Sequence, residues 1–118
     1  MESFKIVRPE HLNHHGVLFG GEMLKWVDEY AWLSACRDFS GCRWVTIGMD
    51  KVEFKNMVLP GSILHFCTDI EKKGNTSVTY LVRVFADEEG AKDEKEVFST
   101  LVTLVNVDKD GQKAVICK

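Results

Sequence analysis

One helical stretch followed by four long β-rich runs limits this chain more than any other feature. Residues 22–38 carry Met23, Leu24, Val27, Ala31 and Ala35 on one face at about 100° per residue. Glu22, Lys25 and Glu29 fall opposite, and Ser40-Gly41 is a suitable stop. The period then changes. Arg43–Phe54, Ser62–Lys72, Thr76–Ala86 and Glu96–Val107 are rich in Val, Ile, Thr, Phe and Tyr, and Val78, Tyr80, Val82 and Val84 alternate with Ser77, Thr79 and Arg83. Turn signals link them: Pro60-Gly61, Lys73-Gly74-Asn75, Glu89-Gly90 and Asp110-Gly111. Residues 4–7 read as a short strand stopped by Pro9, and residues 10–19 as a loop. The charge cluster from Asp87 to Glu96 reads as a solvated hairpin tip. Short links imply antiparallel neighbours, and a lone helix with one apolar face must be covered by the sheet. The expected class is α+β: a curved antiparallel sheet wrapped around one long central helix, in a single domain over residues 1–118.

Charge and cysteine content exclude several functions. Fifteen basic against 18 acidic residues give a net charge of −3, which argues against general nucleic-acid binding. No apolar run approaches the roughly 18 residues of a membrane span. Met1-Glu2-Ser3-Phe4-Lys5 lacks the pattern of a signal peptide, so a cytoplasmic protein is expected. Cys36, Cys42, Cys67 and Cys117 form no Cys-x-x-Cys pair and have no histidine at zinc-finger spacing. They are expected to be thiols in a reducing compartment, packed as small hydrophobes.

Three features carry potential chemistry. Asp28 borders the apolar helix face, where a carboxylate is a better base than in water. The plainer explanation is a boundary Asp bonded to a neighbouring strand. Gly20-Gly21 stands directly before the helix, where backbone N–H groups and the helix dipole can hold a developing oxyanion. A tight turn with positive φ would explain the same pair. His11-Leu12-Asn13-His14-His15-Gly16 gathers three histidines in one loop. His14 or His15 could act as a general base, although a solvated loop histidine is commoner. Adjacent side chains point apart in most conformations, and no carboxylate or Cys sits at ligand spacing, so no metal site is expected. No Gly-x-Ser-x-Gly elbow is present, and Cys36 and Cys42 flank the helix C-terminus, where the dipole disfavours a thiolate.

Together these segments resemble the hotdog-fold acyl-CoA thioesterases, in particular the cytosolic acyl-CoA hydrolase branch. The resemblance rests on Asn13-His14-His15-Gly16-Val17-Leu18-Phe19-Gly20-Gly21 followed by Lys25-Trp26-Val27-Asp28. Val45-Thr46, Asp50 to Val52, Phe54 and Gly61 match the next strand and turn, and Lys73-Gly74-Asn75-Thr76-Ser77 matches a Gly-x-(Ser/Thr)-Ser strand start. Met57 stands where the family often has Pro, and Ser62 where it often has Asp.

The resemblance implies hydrolysis of an acyl-CoA to free CoA and a carboxylic acid, with no cofactor beyond the CoA of the substrate. Asn13 and Asp28 carry over as catalytic residues, with amides near Gly20 and Gly21 as the oxyanion site. Phe54 and Gly74-Asn75-Thr76-Ser77 would line the pantetheine path, with Lys55 and Lys73 near the CoA phosphates. It further implies a homodimer with sheets joined edge to edge, able to assemble as a trimer of dimers, with neither nucleic acid nor membrane as a partner. Two alternatives remain open from the residues. One is a hotdog 3-hydroxyacyl-thioester dehydratase using His14 or His15 with Asp28. The other is a non-catalytic acyl-CoA-binding module.

Overall fold

A computed structural model describes residues 1–116. Cys117, expected as a thiol, lies outside the described residues. The chain runs through β1 (Glu2–Ile6), a short 3-10 turn (Pro9–His11), α1 (Gly20–Asp38), β2 (Trp44–Phe54), β3 (Ile63–Lys73), β4 (Ser77–Asp87) and β5 (Lys95–Asn106). The strands form one sheet in the order β1-β3-β4-β5-β2, and every pairing is antiparallel. Only β2 leaves its sequence neighbour, crossing the sheet to pair with β5 at the far edge.

The period-2 pattern sorts the strands as the turn signals predict. Leu64, Phe66, Val78, Tyr80, Val82, Val84, Val102 and Leu104 are buried on the face that meets α1. The helix contributes Met23, Trp26, Val27, Ala31, Ser34 and Ala35. Small residues at Ala31, Ser34 and Ala35 let the axis lie close to the sheet, while Trp26 sets its edge against Phe66, with centroids 6.4 Å apart. Leu24, expected on the core face, is only partly buried. Tyr80 donates from its hydroxyl to Asp38 Oδ2 at 2.6 Å, tying the last helical turn to β4.

Strand β2 is less regular. Its register against β5 shifts between Thr46 and Gly48 and again between Asp50 and Glu53, where Lys51 takes φ 52°. Such bulges bend an edge strand and turn its side chains. Val45, Ile47, Val52 and Phe54 are exposed along this edge.

Candidate active site

The glycine pair lies inside α1 rather than before it. Phe19 is the N-cap and supplies no side-chain hydrogen bond. The N–H groups of Glu22 and Met23 donate to the Phe19 carbonyl at 3.0 and 3.3 Å. Those of Gly20 and Gly21 find no acceptor among the described residues. Two free donors at the positive end of a helix suit an anion or a developing oxyanion. Neither glycine has positive φ, so the tight-turn explanation fails. Close approach explains at least one of them: a Cβ on Gly21 would stand 2.5 Å from the Phe19 ring.

A cavity of about 330 Å³ opens beside these amides, lined by Gly20, Met23, Phe54, Lys55, Met57 and Val97 among others. Phe54 packs edge-on against Phe98, with centroids 4.8 Å apart, and Met57 is 69% exposed at the rim. Lys55 is engaged by carboxylates, with Nζ 3.3 Å from Glu96 and 3.7 Å from Glu53. Glu96 is held below the usual carboxylate range by the hydrogen bond from Arg83, which outweighs its burial, with Lys55 adding to the effect.

Asp28 is half-buried and accepts a hydrogen bond from Thr46 Oγ1 at 2.7 Å. The helix thus sets the carboxylate beside the free-edge strand, and a β2 hydroxyl fixes its orientation. Eight residues separate Asp28 from Gly20, about 12 Å along the axis at 1.5 Å per residue. Asn13 organises its own loop: Oδ1 accepts from the N–H of His15 at 2.8 Å and of Val17 at 3.3 Å. Its Nδ2 makes no hydrogen bond among the described residues. His14 and His15 were expected to point apart. Instead their rings lie 4.0 Å between centroids, both exposed, beside the left-handed turn at Gly16.

The remaining predicted residues lie elsewhere. Lys73 Nζ sits 5.9 Å above the ring of Phe39, the C-cap of α1. Gly74 N–H closes the β3–β4 turn onto the Ser77 carbonyl at 2.8 Å, and the Thr76 carbonyl accepts from Asn106 at 2.8 Å. Lys73, Gly74, Asn75, Thr76 and Ser77 therefore collect near the C-terminal end of a helix about 28 Å long, away from Gly20, Phe54 and Lys55. The sequence-predicted residues thus fall into two groups at opposite ends of α1, with Asp28 at mid-helix. The plainer expectation for Asp28, a bond to a neighbouring strand, is met by Thr46, which the sequence reading did not name, and Met23 was not foreseen as a cavity wall. Thr46 could have been found as the hydroxyl residue within a strand that crosses next to the helix.

A long helix laid across a five-stranded antiparallel sheet in this order, with unpaired amides at its start and a carboxylate at mid-length, defines a hotdog-fold protein. The chain belongs to the Thioesterase superfamily, whose family profile matches residues 15–92. It is similar to a hexameric hotdog fold thioesterase of Campylobacter jejuni, at 38% identity and a TM-score of 0.82, covering 97% of this chain and 87% of that one. An acyl-CoA hydrolase from Staphylococcus aureus, solved with butyryl coenzyme A, is 25% identical with a TM-score of 0.90 over 99% of this chain and 71% of that one. Among curated proteins, acyl-coenzyme A thioesterase 11 of Mus musculus is 32% identical over 101 residues, 86% of this chain. The chain spans 17%, 21% and 59% of the length of the first three curated relatives it matches.

Proposed function

We propose that this chain hydrolyses acyl-CoA thioesters to free CoA and a carboxylic acid, and that its working unit is a dimer joined along β2. The observation that carries the reading is the Asp28 carboxylate, held by Thr46 at the one long sheet edge that exposes apolar side chains. Antiparallel pairing of two β2 edges about a two-fold axis continues the sheet and sets the two helices side by side in opposite directions. The N-terminal half of one helix then faces the C-terminal half of the other. Asn13, Gly20 and Gly21 of one protomer approach Asp28 of its partner, and the Lys73–Ser77 turn approaches the partner's Phe54 pocket. The hexameric relatives support a further assembly of three such dimers.

In this arrangement the thioester carbonyl receives hydrogen bonds from the Gly20 and Gly21 amides, and Asn13 Nδ2 orients the carbonyl or the attacking water. Asp28 takes the proton of that water as its oxygen attacks; the tetrahedral intermediate then collapses, the C–S bond breaks, and the thiolate takes up a proton. Direct attack by Asp28, through an anhydride, uses the same carboxylate. Label found in Asp28 after single turnover in heavy-oxygen water identifies direct attack with water adding to the Asp28 carbonyl of the anhydride. Phe54, Met23 and Met57 provide an apolar seat for the acyl or pantetheine chain. Lys73 and Lys55 offer cationic heads for the CoA phosphates, Lys55 on exchanging Glu96 and Glu53 for phosphate.

No helix among the described residues is long and apolar enough to cross a membrane. The thiols of Cys36 and Cys67 support a reducing, cytoplasmic setting. The test is thiol release from a panel of short- to long-chain acyl-CoAs by wild type and Asp28→Ala. Release by wild type and none by the folded variant supports the reading. A folded variant with wild-type turnover overturns it.

A further inference from the structure

The sheet face turned away from α1 carries a side-chain cluster that the proposed hydrolysis does not use. His65 and Cys67 alternate with Leu64, Phe66 and Thr68, whose burial under the helix sends the first two to the outer face. Glu2 reaches the same spot from β1, where it pairs in register with Cys67. His65 Nε2 lies 2.6 Å from Glu2 Oε1 and 3.5 Å from Cys67 Sγ. One donor atom from each of Glu2, His65 and Cys67 lies within 4.8 Å of the others. On the other side of the ring, Nδ1 meets both oxygens of Glu94 at 3.2 Å. Phe4 stacks flat on the imidazole at 4.6 Å and 12°, which fixes the ring plane.

We infer that Glu2, His65 and Cys67 form a binding site for a thiophilic divalent cation, zinc by preference, with Glu94 as the outer carboxylate on the ligating histidine.

Geometry and charge both favour this use. Zinc bonds of roughly 2.3 Å to sulfur and 2.0–2.1 Å to nitrogen, at tetrahedral angles, place those two ligand atoms about 3.6 Å apart. The observed 3.5 Å span between Sγ and Nε2 already matches. Glu2 Oε1 must withdraw from Nε2 by roughly 0.8 Å to make room for a cation at bond lengths of about 2.1 Å. Its side chain is 65% exposed and can do so. A hydrogen bond from the ligating histidine's other nitrogen to a carboxylate is the arrangement that fixes tautomer and ring orientation in zinc sites, and Glu94 stands there. On binding, the Nε2 proton and the Cys67 thiol proton leave. Thiolate and the Glu2 carboxylate then balance the two charges of the ion around a neutral imidazole. A water can complete the coordination.

Two plainer uses fit less well. A simple ion pair of His65 with the two glutamates gives no role to Cys67. A Cys–His nucleophilic pair needs Nε2 free to take the thiol proton, but Glu2 is the nearer partner of that atom. The ion would clip β1 to β3 and to the turn before β5, so its role is structural.

Cobalt(II) titration of the reduced, tag-free chain tests the site. The expected result is one equivalent bound per chain, with thiolate-to-cobalt charge-transfer absorption and the intense visible bands of a four-coordinate ion, all displaced by zinc. Cys67→Ser abolishes the charge-transfer band, Cys36→Ser keeps it, and Glu94→Gln weakens binding by about 10- to 100-fold. Zinc raises the Tm of wild type and leaves that of Cys67→Ser unchanged. Absence of the charge-transfer band in wild type, or its survival in Cys67→Ser, overturns the assignment. Should Cys67→Ser fail to fold, Glu94→Gln decides alone, because it lies in an exposed turn: unchanged cobalt affinity contradicts the site.

Discussion

The two edges of the sheet are built differently. Strand β1 closes one edge with only five residues, and its outward face carries Glu2, Phe4 and Ile6, the first two gathered around His65. Strand β2 closes the other with eleven residues, bulged twice, and exposes Val45, Ile47, Val52 and Phe54. A short edge beside charges resists further pairing, whereas a long apolar edge invites it. On the proposed reading, β1 ends the sheet and β2 is where a second copy would continue it. Asp28 is tied to that second edge through Thr46, so the proposal places chemistry and assembly on one strand.

The largest effect should come from the group that this edge holds. Asp28→Ala should lower acyl-CoA hydrolysis by about 10²–10⁴-fold, the range of a lost general base, with circular dichroism unchanged. Placing a charge at each edge tests the contrast directly. Ile47→Lys on β2 should yield a monomer by light scattering and lose hydrolysis with it. Ile6→Lys on β1 should leave both the dimer and turnover intact. Equal effects at the two edges would mean that β1 and β2 do not differ in their capacity to pair.

A smaller effect should follow from Thr46→Val. A hydrogen bond to a charged group is worth about 1.5–3 kcal/mol, so kcat should fall roughly 10- to 100-fold as Asp28 loses its orientation. Thr46→Ser should restore most of it. The smallest effect concerns the end of β2, where Lys55 and Arg83 converge on Glu96. The folded pKa of Glu96 is depressed, chiefly by the Arg83 hydrogen bond. Its contribution is present above the unfolded value of about 4.3 and is lost as pH falls through the folded value. Glu96→Gln should therefore lower Tm slightly at neutral pH, by less than about 1 kcal/mol of stability, and converge with wild type in acid.

The strands were readable because β-branched alternation and turn glycines act locally. Ile63–Lys73 and Ser77–Asp87 each fall within one residue of the runs read from pattern alone. The helix start was not, because Phe19 is an N-cap without a capping side chain, and glycines read as punctuation. The site was legible only in part. Asn13, Gly20, Gly21 and Asp28 stand out as residue types in an ordered spacing, but spacing along one chain cannot say that the Lys73–Ser77 turn lies at the opposite end of α1 from Gly20. Thr46 was hidden because its meaning depends on which strand crosses beside Asp28. The Glu2–His65–Cys67 cluster was hidden for the same reason, since strand pairing brings together residues far apart in sequence.

The most direct test of a site shared across β2 is subunit complementation. Asp28→Ala and Asn13→Ala are each inactive alone on this account. Mixed by co-refolding, half of the dimers are hybrids, and each hybrid holds one intact pair of Asn13 and Asp28 from different chains. Activity should return to about one quarter of wild type, as two-fold symmetry requires. A mixture that stays inactive while hybrids are shown to form would place both residues in one chain's site and contradict the account.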